Sequence, residues 1–189
     1  MKFEPLVKSE NHELFLINDN SKIETEKIKL ISDFSLQNPE LPNEKLSAIK
    51  VLWSNVELSS GVYNEEYLSN LREYLKFLEE NSKLVFIYPV AQKNFENPEE
   101  AENFISAMVH AARRIKDAQS VVGFALPDEI LIKDKSEGFS PEGYASWFVQ
   151  EMNKKHSHYV YFADETFLKE NSLFDSALKT DFVFWKSFI

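Results

Sequence analysis

The chain reads as an α/β fold: a parallel sheet of about six strands covered by helices. Two observations predict it. Five apolar runs, several apolar on both faces, recur along the chain as strands of a helix-covered parallel sheet do. The segments between them carry apolar residues at three- and four-residue steps, the helical period. A chain of 189 residues, 43% hydrophobic and 14% aromatic, has enough apolar area to bury one core, so one domain over 1–189 is expected.

In order, residues 13–18 (ELFLIN), a turn at Asp19-Asn20-Ser21 and residues 22–25 predict a short hairpin at about 13–25, lying as a lid on the core. The strands follow: 28–34 (IKLISDF), 48–53 (AIKVLW), 84–90 (LVFIYPV), 121–126 (VVGFAL) and 159–163 (YVYFA), with a sixth at 182–185 (FVFW). Asn64 opens a helix whose Tyr67, Leu68, Leu71, Leu75 and Leu78 make one stripe. Asn97-Pro98-Glu99-Glu100 joins a cap residue to Pro at the first helical position, ahead of Phe104, Ile105, Met108, Val109, Ala112 and Ile115. Ser140-Pro141-Glu142 repeats that start signal before Ala145, Phe148, Val149 and Met152. Right-handed crossovers make these strands parallel neighbours in chain order, in a sheet that is open or closed into a barrel.

Composition removes several classes of function. The net charge is -10 with Lys and Arg scattered, so nucleic acid and anionic membrane are not expected partners. There is no Cys, and hence no disulfide or thiolate chemistry. Four glycines, at 61, 123, 138 and 143, cannot write a phosphate-cradling loop. No His-rich metal spacing and no G-x-S-x-G elbow occurs, so no cofactor and no metal are expected. The first residues lack a signal-type apolar region and no run approaches the roughly 20 apolar residues of a membrane span, which points to a soluble, cytoplasmic protein.

Residues 53–89 (WSNVELSSGVYNEEYLSNLREYLKFLEENSKLVFIYP) join a strand ending in Trp53 to Glu57, Gly61-x-Tyr63-Asn64, a long helix and another strand. This pattern resembles the second β/α unit of the (β/α)8-barrel glycoside hydrolases of the cellulase and mannanase type. Residues 122–129 (VGFALPDE) are similar to the end of strand four in that clan. The resemblance implies an incomplete TIM-type barrel acting on a glycan or oligosaccharide. It puts Glu129 on the acid/base carboxylate, Asp128 on the preceding Asn that hydrogen-bonds a sugar 2-hydroxyl, and Tyr88 near a polar side chain of the third strand.

Glycoside hydrolysis takes two carboxylates, about 5 to 5.5 Å apart for retention or about 6.5 to 9.5 Å for inversion. Glu165 and Asp33, each after an apolar strand, are candidates for the second, while Asp164 reads equally as a helix cap. Trp53, Tyr88 and Trp185 could stack sugars, and core packing accounts for each ring as well. Two functions follow: a glycoside hydrolase using Glu129 and a second carboxylate, or an inactive barrel relative serving as a carbohydrate-binding or protein-interaction module. Six strands leave an edge to cover, so a homodimer is expected, or else the C-terminal FVFWKSFI lies across the gap.

Overall fold

The computed structural model describes residues 4–133 and 143–189. Strands β1 (Val7–Glu10), β2 (Glu13–Leu16) and β3 (Lys22–Ile23) form a small antiparallel sheet, so the predicted hairpin gains a third strand in front of it. The chain then enters the main sheet at β4 (Lys27–Ile31) and β5 (Leu46–Leu52), joined by residues 32–45 without a helix. A single turn, α1 (Trp53–Val56), leads to the two-stranded β6 (Glu57–Ser59) and β7 (Val62–Tyr63), whose turn places Gly61 at φ 73°, in the left-handed region that glycine tolerates.

The two punctuated helices are as the sequence marks them. In α2 (Glu65–Glu80) the Asn64 side chain accepts from Tyr67 N, and Leu68, Leu71, Leu75 and Leu78 are buried. In α3 (Pro98–Ile115) the Asn97 side chain accepts from Glu100 N. Between them runs β8 (Leu84–Val90), and after them β9 (Val121–Ala125) and α4 (Asp128–Lys133). The start signal at 140–142 lies outside the described residues. The helix expected to follow it, α5 (Tyr144–His156), buries Ala145, Phe148 and Met152. The chain closes with β10 (Val160–Asp164), α6 (Glu165–Glu170), α7 (Phe174–Ala177), β11 (Val183–Trp185) and β12 (Ser187–Phe188).

The main sheet runs β11-β10-β9-β8-β5-β4-β12, parallel at every pairing, with the six predicted strands adjacent in chain order. It is a nearly closed, barrel-like sheet of the incomplete TIM type. Its two ends belong to one stretch of chain. Residues 183–185 pair with β10 and, one residue later, 187–188 pair with β4, where Ile189 N also donates to Ile28 O at 2.9 Å. The C-terminal segment thus lies across the gap.

Strand alternation sorts the core into two layers. Ile28, Ala48, Phe86, Phe162 and Trp185 point into the barrel, while Ile49, Val51, Val85, Ile87 and Phe124 point out against the helices. Phe86 and Phe162 stack across the interior at 4.3 Å. Gly123 makes the β9–β10 pairing possible, since a Cβ there would meet Val160 O at 1.8 Å. The small N-terminal sheet plugs the end of the barrel where the strands begin. Its Val7, Leu14 and Ile23 join the interior cluster, and its connections bind β11: Phe184 N donates to His12 O at 3.1 Å and Thr25 Oγ1 donates to Phe184 O at 2.8 Å. The opposite end, where the strands finish, carries the candidate site. No helix among the described residues is long and apolar enough to cross a membrane.

Candidate functional site

Below its rim the barrel interior is apolar; at the rim it becomes polar. On β5 the inward positions run Leu46, Ala48, then Lys50; on β8 they run Leu84, Phe86, then Tyr88; on β10 they run Val160, Phe162, then Asp164. Lys50 stands in register with Tyr88, and Asp164 with Trp185. Just beyond β9, Pro127 starts α4, whose first turn presents Asp128 and Glu129 at the same end.

These groups hold one another. The Tyr88 hydroxyl donates to Asp128 Oδ2 at 3.0 Å, and Asp128 Oδ1 is buried with no hydrogen-bond partner among the described residues. Burial pushes the Asp128 carboxyl up to about 6, helped by the like charges of Asp164 and Glu129 and opposed by the Tyr88 hydrogen bond. Burial also raises Tyr88, as does the negative charge of Asp128 beside it, so the phenol stays a donor at neutral pH. Glu129 Oε1 accepts from the backbone N–H groups of Ala91 and Gln92, at 3.0 and 3.1 Å, in the turn that follows β8. That contact aims the carboxylate along the rim and leaves Oε2 without a partner among the described residues. Its partners are backbone groups at the site end of the barrel, not a Lys or Arg across the sheet.

Of the other sequence-selected residues, Trp185 is 0% exposed, with Phe86, Tyr88 and Phe188 around its ring at 5.3 to 6.0 Å. Its ring meets that of Tyr88 edge-on. Trp53 sits half-buried outside the barrel, edge-on to Phe104 at 5.6 Å, its Nε1 donating to Glu57. The two tryptophans therefore do not share a surface. Glu165 opens α6 and pairs with Lys169 one turn on. Asp33 is exposed in the loop after β4, in an open pocket of about 370 Å³ that it shares with Asn55, Tyr67 and Asn70. Asp164 does cap a helix, its Oδ1 accepting from Phe167 N at 2.9 Å, yet its charge also reaches Asp128 and Tyr88, and burial raises its carboxyl.

The rim thus brings together Tyr88, Asp128, Glu129 and Asp164, with Trp185 buried against Tyr88 and Lys50 on the neighbouring strand. Sequence reasoning passes over Lys50, although strand alternation in AIKVLW places it on the same face as Ala48. Chemically the rim holds a carboxyl that changes protonation near pH 6, a fixed phenol donor and an anchored second carboxylate, a set able to donate and accept protons close to neutrality. Among the described residues no group of three or more acidic or histidine side chains is arranged to hold a metal.

No protein-family model matches the chain, and no curated protein matches it in sequence. Solved structures do match in shape. Endo-glycoceramidase II from Rhodococcus sp. superposes with a TM-score of 0.58 at 9% identity, over 85% of this chain and 52% of that one. An endogalactoceramidase gives 0.58 at 10%, over 85% and 53%. The endoglucanase Cel5A of Pseudomonas stutzeri gives 0.55 at 12%, over 72% and 50%. The fold is that of glycoside hydrolase barrels. The chain spans about half the length of the structures it matches, and at such identities the likeness establishes the fold alone.

Proposed function

We propose that the chain takes a glycan at the rim where the barrel strands end, and that Glu129 serves there as proton donor in glycoside hydrolase chemistry. One observation carries the reading. The Asp-Glu pair after the fourth barrel strand faces the same rim as Tyr88, with Glu129 anchored through one oxygen and Asp128 tuned to titrate near neutrality. In this reading Glu129 Oε2 protonates the glycosidic oxygen, and the Tyr88–Asp128 pair hydrogen-bonds a sugar hydroxyl. For the second carboxylate Asp164 is better supported than Glu165, because its charge is felt at Asp128 whereas Glu165 is engaged by Lys169. The open pocket holding Asp33 offers further polar contacts to a longer glycan, and Trp53 is a half-buried ring on the outer side.

The test is hydrolysis of a panel of aryl glycosides by wild type and Glu129→Gln, with glycan binding followed by calorimetry. The amide keeps the acceptor for Ala91 N and Gln92 N but cannot donate the catalytic proton, so hydrolysis should fall by about 100-fold or more while binding persists. Equal rates in the two proteins would remove Glu129 from the chemistry. A second reading, a non-catalytic carbohydrate-binding or protein-interaction relative, is favoured by Asp128 standing where the resembling enzymes have Asn, and by the 187–188 segment already pairing with β4. Wild type that binds glycans and hydrolyses none would select it.

A further inference from the structure

Lys50 is a basic residue at an inward position of a barrel strand. Leu46 and Ala48 on its face belong to the interior cluster, while Ile49 and Val51 between and beyond them belong to the outer one, so alternation turns Lys50 toward the lumen. It is half-buried, stands in register with Tyr88, and forms no ion pair or hydrogen bond with any described residue. The chain has 31 acidic residues against 21 basic ones, and ion pairs engage lysines across its surface, including Lys8, Lys22, Lys76, Lys93, Lys154 and Lys186.

The acids of the rim do not neutralise it. The charges acting on Asp128 are those of Asp164 and Glu129, and those acting on Tyr88 are Asp128, Glu129 and Asp164; Lys50 stands outside this group. The sheet order puts β5 on one side of Tyr88 and β9 and β10 on the other. The rim is therefore polar in the electrostatic sense, with an ammonium on one flank of Tyr88 and carboxyl groups on the opposite flank.

From this we infer that the glycan is an acidic one: a sugar carrying a carboxylate sits with its anionic group on Lys50 and its glycosidic oxygen toward Glu129. The inference rests on the glycan reading proposed above. A neutral glycan would leave the half-buried ammonium unpaired beneath it, which costs free energy, whereas an anion converts that cost into a charge-assisted hydrogen bond. The remaining rim carboxylates repel an anion placed elsewhere, so Lys50 also fixes which way round the sugar lies. An ammonium acts as a point charge and does not require the planar shape of a carboxylate, so a sulfated sugar has the same chemistry.

The experiment compares hexuronate oligosaccharides with their own methyl esters, which remove the charge and keep most of the shape, by calorimetry at low salt. Sulfated oligosaccharides form a parallel arm that distinguishes the source of the anion. Wild type should bind the free acid about ten-fold or more tightly than the ester, and the ratio should shrink at about 0.5 M salt, where the screening length is only a few ångströms. In Lys50→Met the ratio should fall to one or below, and in Lys50→Arg it should persist, which separates loss of charge from loss of fold. Melting curves of both variants check that the barrel is intact. Equal binding of acid and ester by wild type, or an unchanged ratio in Lys50→Met, overturns the inference while leaving the glycan reading in place. Failure of every glycan to bind overturns both.

Discussion

Replacing Asp128 by Asn should make the protein more stable at neutral pH, and by a calculable amount. The carboxyl titrates at about 6 in the folded chain against 3.8 when free, because the fold buries it and sets Asp164 and Glu129 around it. At about 1.4 kcal/mol per pH unit, that gap is a cost of about 3 kcal/mol once the group is ionised in both states. Solvent reaching the half-buried side chain screens part of it, leaving about 2 kcal/mol. The sign follows from proton counting. Between 3.8 and about 6 the folded chain binds more protons than the unfolded one, so stability falls as pH rises through that window, and the full cost is present at pH 7. An asparagine side chain would keep an acceptor for the Tyr88 hydroxyl, lose the charge and put its amide nitrogen where the unpartnered Oδ1 stood, a change present at both pH values. Asp128→Asn should therefore gain about 2 kcal/mol at pH 7 relative to pH 3.5, equivalent to about 4 to 8 °C in melting temperature for a chain of this size. Urea denaturation followed by circular dichroism at both pH values, with an unchanged slope, reads this directly. A loss of stability at pH 7, or a difference independent of pH, would refute the electrostatic account of the site.

His156 makes the opposite contribution. It is 2% exposed, its Nε2 lacks a partner among the described residues, and burial lowers it to about 4 from 6.5; stability should thus fall as pH drops from 6.5 to 4, by about 3 kcal/mol at most. Asp128 and His156 nearly cancel over that window, so His156→Phe should be most stable near pH 4 and weaken toward pH 6, a trend that a pH series of denaturant midpoints would display. Gly123→Ala has no room for its methyl group against the Val160 carbonyl, and should separate β9 from β10 at a cost of about 3 kcal/mol or more, or fail to fold, as read by expression yield and near-ultraviolet circular dichroism. Trp185→Ala empties the centre of the interior cluster and should cost about 3 to 5 kcal/mol by urea denaturation. Asn97→Ala removes the cap of α3 and should cost about 1 kcal/mol by the same measurement, with the site unchanged.

Much of the barrel is legible in the sequence because its strands and helices are punctuated by strong local signals. LVFIYPV is β8 from first residue to last, and Asn64 and Asn97 cap the helices they open. The strands' edges are less legible: β4 stops at Ile31, three residues before the apolar run 28–34 does, because Ser32, Asp33 and Phe34 peel away into the loop. Strand β1 escapes a reading by pattern since VKSE has one buried apolar residue, and only the barrel floor beneath Val7 makes it pair. At the site, position along the chain is enough to place Asp128, Glu129 and Tyr88 at one end of the sheet. Which carboxylates feel one another is not readable, because that depends on cross-strand neighbours such as Asp164 and on burial that no local pattern encodes. Lys50 hides for a related reason. One lysine in an apolar strand looks like a solvent-facing exception until register turns it inward.

Almost every neighbouring pair of strands in the main sheet is joined by the stretch of chain that directly links them, so each pairing forms cheaply once its own β/α unit has collapsed. The seam at 187–189 is different. It brings residues such as Lys186 and Glu26, 160 positions apart, into contact in one step. Closed before the units between them had ordered, a flexible ring of that span would cost on the order of 4 to 5 kcal/mol of chain entropy by the logarithmic loop law, so the seam gains by forming last. The slow event in folding should accordingly be the shutting of this seam on an already assembled row of units. The seam is also a short pairing, only residues 187–188 against β4 with Ile189 beside them, so the finished barrel opens there by breaking few bonds. Trp185 lies two residues before the seam pairing begins and packs edge-on against Tyr88, so an opening that spreads back along the chain loosens the polar rim. The polar rim and the weakest join of the barrel thereby depend on one short stretch of chain.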